Sequence, residues 1–304
     1  MEHSERIVRL ETGPRPARPK PSWLKVRLPS QANYFEVTRT LREQRLHTIC
    51  QSARCPNIGE CWSDRTATFL LLGDVCTRSC AFCSVAKGRP EPPDADEPRR
   101  VAEAVAAFGL SHVVLTSVTR DDLPDGGASA FARTVAAVKE RKPGTTVEVL
   151  IPDFQGDEEA IGTVTASGPE VVNHNLEVPE ALYPLIRRSS PHYQRSLKVL
   201  RLAKSKGVTT KSGLMLGLGE SEAEILQAFS DLRGVSCDLL TLGQYLQPGR
   251  DLTPVRRYYR PEEFEQWRLI ALDFGFRAVE AGPLVRSSYH ARRMAEGLSG
   301  GSPA

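Results

Sequence analysis

The sequence predicts an α/β fold of six strand–helix units around a parallel sheet, and two observations predict it. Beyond Thr68, short apolar runs rich in β-branched residues alternate with amphipathic helical patterns. Strands that recur with a helix between them form parallel pairs joined by right-handed crossovers. The composition agrees, since 304 residues with 40% hydrophobic and 25% charged side chains bury a core without covalent staples.

The first strand run, residues 68–73, is apolar after Thr68 and ends on Gly73. A helix follows at 97–108, where Val101, Val105 and Phe108 share one face. The next strand, 112–118, carries Val113, Val114 and Val118; the helix at 128–141 repeats Phe131, Val135 and Val138. Strand 147–152 stops at Pro152, and helix 157–167 opens on Asp157, a favoured capping residue. Strand 171–176, helix 193–206 and strand 209–216 continue the alternation. Ser221 opens a helix to 233, strand 239–246 follows, and Pro261 starts a last helix to 274 from a first-turn position suited to proline. Residues 1–49 are irregular, basic and proline-rich (Pro14, Pro16, Pro19, Pro21, Pro29). They read as a tail over 1–9 and an arm over 14–29 that lies on the fold, with Trp23 as its apolar anchor.

A formal charge of +3 gives no electrostatic footprint for nucleic acid. No stretch approaches the ~20 apolar residues of a membrane span. Glu2 and Glu5 stand where a secretory leader would be apolar, so a soluble cytoplasmic protein, and a monomer, is expected.

The seven cysteines carry the chemistry. Six lie between Cys50 and Cys83, and only Cys237 lies elsewhere, where it reads as a packed thiol. A disulfide framework spreads its cysteines and accompanies export. Here they form two triplets, Cys50-x4-Cys55-x5-Cys61 and Cys76-x3-Cys80-x2-Cys83. Structural zinc closes with four ligands, which fits runs of three poorly, and buried structural thiols scatter singly. Iron–sulfur clusters are commonly held by four cysteines, so a triplet leaves one iron open to substrate, cofactor or a harder ligand.

The second triplet, in Asp74-Val75-Cys76-Thr77-Arg78-Ser79-Cys80-Ala81-Phe82-Cys83, resembles the radical S-adenosylmethionine (SAM) superfamily. The resemblance implies a [4Fe–4S] cluster whose open iron is chelated by SAM, which one electron cleaves to methionine and a 5′-deoxyadenosyl radical. It also implies that the six units form a partial (β/α)6 barrel of TIM type. Barrel chemistry occupies the C-terminal strand ends, and the triplet directly follows the first strand. Phe82 is expected against the adenine, or else as a core aromatic beneath the loop. Gly126 and Gly127 would bring backbone to the SAM amino group, although Asp121 to Gly127 also reads as an ordinary turn before a helix. Thr116, Glu148, Asn173 and Lys211, on four different strands, are further expected SAM contacts; Glu148 would face the interior, though alternate strand residues face outward as often. His174 reads as a satisfied barrel residue, and Gly213 to Gly219 resembles the superfamily's adenine-binding strand.

The first triplet, within His47 to Trp62, is similar to the C-x4-C-x5-C signature of the lipoyl synthase family, and Arg286-Ser287-Ser288-Tyr289 to its C-terminal motif. Ile151-Pro152-Asp153-Phe154 and Gly243 to Pro248 also read as family sequence, and the similarity runs from about residue 21 to 292. That resemblance implies insertion of two sulfur atoms, at C6 and C8 of an octanoyl chain on a lysine of a lipoyl carrier protein or lipoyl domain. Two SAM molecules are spent per lipoyl group. An auxiliary [4Fe–4S] cluster held by Cys50, Cys55, Cys61 and Ser288 gives up the sulfur, though residue chemistry alone does not separate Ser288 from Ser287. The oxygen ligand is harder than thiolate, so its iron is the easiest to release. The implied layout is an arm (1–49), an auxiliary-cluster segment (50–67), a radical SAM barrel (68–274) and a C-terminal extension (275–304). Arg286 is the expected substrate contact. Arg15, Arg18, Lys20, Lys25, Arg256 and Arg257 are candidates for docking an acidic carrier. A one-electron reductant of flavodoxin or ferredoxin type and an iron–sulfur carrier that rebuilds the auxiliary cluster are the other expected partners. A biotin-synthase-like enzyme would place its auxiliary ligands inside the barrel, a methylthio-transferring one would carry terminal RNA-binding regions, and a non-catalytic iron–sulfur scaffold would need no SAM pocket.

Overall fold

The protein is described by a computed structural model covering residues 20–26 and 31–296; Arg15, Arg18 and most of the proline arm lie outside the described residues. Six strands form where the apolar runs predict them: β1 (Thr68–Leu71), β2 (His112–Ser117), β3 (Thr146–Leu150), β4 (Val171–Asn173), β5 (Thr209–Leu216) and β6 (Leu239–Gln244). They pair in sequence order and every pair is parallel. A seventh parallel strand that the sequence reading did not contain, β7 (Ala278–Gly282), adds to β6. The two-residue strand His47–Thr48 pairs antiparallel with β1 on the opposite edge. The order never returns to its start, so the sheet is an open, partial barrel.

The connecting helices are α1 (Glu97–Ala107), α2 (Ala128–Arg141), α3 (Glu158–Ala166), α4 (Ser190–Ser205), α5 (Glu222–Gly234) and α6 (Pro261–Asp273). Local chemistry starts them. The Asp157 carboxylate accepts from the Glu159 and Ala160 amides, and Ser221 and Glu224 form a reciprocal capping box. α4 begins three residues before its predicted start, because Ser189 and His192 cap it and Pro191 occupies its first turn. Strand interiors are buried on both faces, as parallel sheets require. Val147, Val149 and Val172 pack with Phe131 and Val135 of α2, and farther along the sheet Phe229 of α5 meets Trp267 of α6 and Phe276 edge-on.

β4 is shorter than expected. After Asn173 the backbone leaves the ladder, and Glu177, at φ +72°, rejoins it by a single parallel bridge to Leu214. His174 is satisfied within the barrel: Nδ1 contacts the Ile151 carbonyl at 2.8 Å and Nε2 the Ser196 hydroxyl at 3.0 Å. Cys237 is fully buried beside β6, its thiol 3.5 Å from the Leu239 carbonyl, as expected of a packed thiol.

Candidate active site at the barrel mouth

The second cysteine triplet lies across the C-terminal strand ends because its loop is tied to several of them. Thr77 donates its amide to the Thr119 carbonyl beyond β2. The Arg78 guanidinium grips Asp121 at 2.7 and 2.8 Å and Asp153, beyond β3, at 2.7 Å. Ala81 donates its amide to the Ile186 carbonyl and accepts at its own carbonyl from the Thr253 amide. Burial pushes the Cys83 thiol up to about 11, with Cys80 and Cys76 adding to the shift, so the three sulfurs share one neighbourhood.

Two charged residues that the sequence reading missed face this loop. Arg188 Nη2 lies 3.5 Å from Cys80 Sγ, and its guanidinium stands 5.8 Å from the centre of the Phe82 ring. Glu177 is half-buried; desolvation raises its carboxyl above the usual range, while Arg188 and the Asn175 amide pull it down. Neither residue belongs to a spacing pattern; the kink after β4 is what brings them in.

The first triplet is built around the short helices Ile49–Ser52 and Ile58–Ser63. Cys50 is buried, Cys61 is pushed up to about 12 by burial with Cys50 and Cys55 adding, and burial likewise raises Cys55. The C-terminal motif closes over these cysteines. Asn57 Nδ2 donates to the Leu284 carbonyl at 2.7 Å, and the Tyr289 hydroxyl to Glu60 Oε1 at 3.0 Å. Thr68 Oγ1 donates to Ser288 Oγ at 2.9 Å, and Thr68 also borders Cys50, acting to lower its thiol. Ser287 turns the other way and accepts from Asn175 Nδ2 at 2.7 Å. The two serines therefore face different sites.

Two features of this pocket call for an anion. The Trp62 indole N–H is buried without a hydrogen-bond partner, in the neighbourhood of Cys50. Desolvation lowers the pKa of the half-buried Arg286, and Cys55 as a thiolate would pull it back up. A desolvated cation without an anionic partner is costly, and an iron–sulfur cluster on thiolates would supply the negative charge. Among the described residues, no three His, Cys, Asp or Glu side chains converge on one point as for a single metal ion. Cys50 and Cys55 neighbour Cys61, and Cys76 and Cys80 neighbour Cys83, so each triplet offers the set of thiolate donors that a cluster would need.

The other expected contacts divide. Glu148, Asn173 and Lys211 lie inside the barrel but engage one another: Lys211 Nζ is 3.0 Å from Glu148 Oε1, and Asn173 Nδ2 is also 3.0 Å from it. Thr116 donates to the Leu150 carbonyl across the β2–β3 ladder. Asn173 Oδ1, Asn175 Oδ1 and Ser117 Oγ are buried without partners, leaving open acceptors near the strand ends. Gly126 and Gly127 both have positive φ, and an added Cβ would strike the Phe154 ring and the Leu72 side chain respectively. Their close approach is thus to protein. The Gly217, Leu218 and Gly219 amides converge on the Glu220 carboxylate. Trp23 anchors its segment through its indole N–H on the Tyr259 carbonyl, while Arg257 covers the Tyr259 ring at 4.2 Å and pairs with Glu263. Arg286 faces the first triplet. No helix among the described residues is long and apolar enough to cross a membrane.

A family model described as the radical SAM superfamily matches residues 70–232. Solved structures of similar fold include the hydrogenase maturase HydG from Carboxydothermus hydrogenoformans, with TM-score 0.58 at 13% identity over 87% of this chain and 68% of that one. Another is methylornithine synthase, with TM-score 0.54 at 14% identity over 90% and 95%. Fold and match together define a radical SAM protein, whose class uses a [4Fe–4S] cluster and SAM. A second model, the N-terminal domain of lipoyl synthase, matches residues 2–55. The lipoyl synthase of Thermus thermophilus is 55% identical over 91% of this chain and 87% of its own length. That of Rubrobacter xylanophilus is 54% identical over 91% and 87%, and that of Koribacter versatilis 52% over 95% of each. The chain belongs to the lipoyl synthase family.

Proposed function

We propose that the enzyme inserts two sulfur atoms, at C6 and C8, into an octanoyl group carried on a lysine of a lipoyl carrier protein or lipoyl domain, using two [4Fe–4S] clusters and two SAM molecules per product. The observation that carries this reading is the contact between the two cysteine segments: Ser84 Oγ, next to Cys83, donates to the Ser52 carbonyl, between Cys50 and Cys55, at 2.8 Å. Triplets on segments that touch would let a carbon radical and a sulfur donor meet the same chain.

Cys76, Cys80 and Cys83 would hold the SAM cluster, and Cys50, Cys55, Cys61 and Ser288 the auxiliary one. When bound, the first cluster with SAM supplies one-electron cleavage to a 5′-deoxyadenosyl radical, and the second supplies sulfur. The protein's part is to hold and shield. Arg188 suits the SAM carboxylate, Glu177 a ribose hydroxyl or the amino group, and Phe82 the adenine. Asn173 and Asn175 offer their unpaired oxygens beside them, with Thr116, Gly126, Gly127, Glu148 and Lys211 shaping the interior beneath. An unactivated methylene requires a radical that attacks anything near it, so positioning and exclusion of water do most of the work. Arg286, expected to meet substrate, is better supported as the counter-charge of the auxiliary cluster. Lys20, Lys25, Arg256 and Arg257 would dock an acidic carrier. A flavodoxin- or ferredoxin-type reductant and an iron–sulfur carrier complete the cycle.

The test is mass spectrometry of an octanoyl-lysine peptide after anaerobic incubation with cluster-loaded enzyme, SAM and dithionite. A gain of two sulfurs through a one-sulfur intermediate is expected. 5′-Deoxyadenosine without a mass change would leave radical chemistry and overturn the substrate; no cleavage by iron-loaded protein would point to a scaffold.

A further inference from the structure

We infer that Thr68 is a positioning residue for the auxiliary cluster, its hydroxyl holding the Ser288 oxygen in place and strengthening it as a ligand; this rests on the proposed role of Ser288. Thr68 opens β1, is 4% exposed, and has its backbone fixed by the parallel ladder to Val114. From that rigid position its hydroxyl donates to Ser288 Oγ at 2.9 Å, and Thr68 also borders Cys50, whose thiol it acts to lower against the upward push of burial. One residue thereby holds one of the four groups proposed for the cluster and neighbours a second.

The direction of the bond matters. A hydrogen bond to an oxygen bearing negative charge is roughly twice as strong as one between neutral partners. Ser288 gives up its proton on binding iron, so Thr68 is then necessarily the donor, and the bond strengthens as the Ser288 oxygen takes up charge. Serine is a poor match to iron beside three thiolates, and Thr68 offsets part of that mismatch. Ser287 also accepts a hydrogen bond, but from Asn175, which leads to the second triplet rather than to Cys50.

The experiment uses the full chain with Cys76, Cys80 and Cys83 replaced by Ala, so that only the auxiliary cluster loads. Thr68→Val keeps the shape and removes the donor, Thr68→Ala is a second donor-free variant, and Thr68→Ser keeps the hydroxyl. Each is loaded, challenged with a chelator, and read by iron content and electron paramagnetic resonance. The donor-free variants are expected to lose the fourth iron at least ten-fold faster and, after one-electron oxidation with ferricyanide, to show a three-iron signal, while Thr68→Ser behaves as the parent. Retention of four irons at the parental rate in either donor-free variant overturns the inference, as does equal loss in all three. Ser288→Ala separates the two readings. If it keeps its fourth iron, Ser288 is not the ligand; if it loses the iron while Thr68→Val does not, only the role of Thr68 fails.

Discussion

The Asn175 side-chain amide donates to the Ser287 hydroxyl at 2.7 Å, and this bond joins the two halves of the site. Asn175 leads into Glu177, which faces the second cysteine triplet; Ser287 precedes Ser288, which faces the first. Together with the Ser84–Ser52 contact it ties both triplets into one assembly.

Replacing Cys80 with Ala is expected to abolish SAM cleavage and leave the auxiliary cluster loaded. Chromatography of 5′-deoxyadenosine, beside an iron count, checks this; persistent cleavage would remove the second triplet from its assigned role.

Cys55→Ala is expected to do the reverse. SAM cleavage continues, but the octanoyl-lysine peptide gains no sulfur in the mass spectrum. Any lipoyl product would show that sulfur comes from elsewhere.

Arg286 carries positive charge beside Cys55. With Arg286→Gln the auxiliary cluster loses that charge, so its reduced state is less stable and its midpoint potential moves to a more negative value. A redox titration monitored by electron paramagnetic resonance should show this shift, with the SAM cluster unmoved. A changed affinity for octanoyl peptide at constant potential would instead restore a substrate-contact role.

Lys211 and Glu148 form an ion pair with both side chains essentially inaccessible. Removing one partner of a buried pair costs about 3–5 kcal/mol. Lys211→Met should therefore lower the urea midpoint of the cluster-free protein strongly, and adding Glu148→Leu should recover much of the loss.

Burial alone would raise the Asp153 carboxyl, but the Arg78 hydrogen bond and charge outweigh it and hold it well below the usual range. A depressed folded pKa gives stability that is complete above the unfolded value of about 3.9 and is lost as pH falls below it. The gap in denaturant midpoint between parent and Asp153→Asn should thus be widest near neutrality and shrink in acid.

The sequence made most of this architecture legible because a parallel barrel repeats one signal: an apolar strand, then an amphipathic helix. β7 escaped it, since Ala278-Val279-Glu280-Ala281-Gly282 has one β-branched residue and only Val279 is buried. The cysteines announced themselves by spacing. Arg188 and Glu177 did not, because they enter through a kink rather than a motif, and Arg78 hid in the loop that it clamps. Choosing between adjacent serines required three dimensions, since Thr68 and Asn175 approach them from opposite directions.

The ties between the cysteine segments have one more consequence. If the site of hydrogen abstraction and the source of sulfur are held at one separation, they cannot follow the reaction from C6 to C8. The moving part is then the substrate: the octanoyl arm slides by two carbons between the first insertion and the second, and the swinging lysine tether that carries it provides the travel.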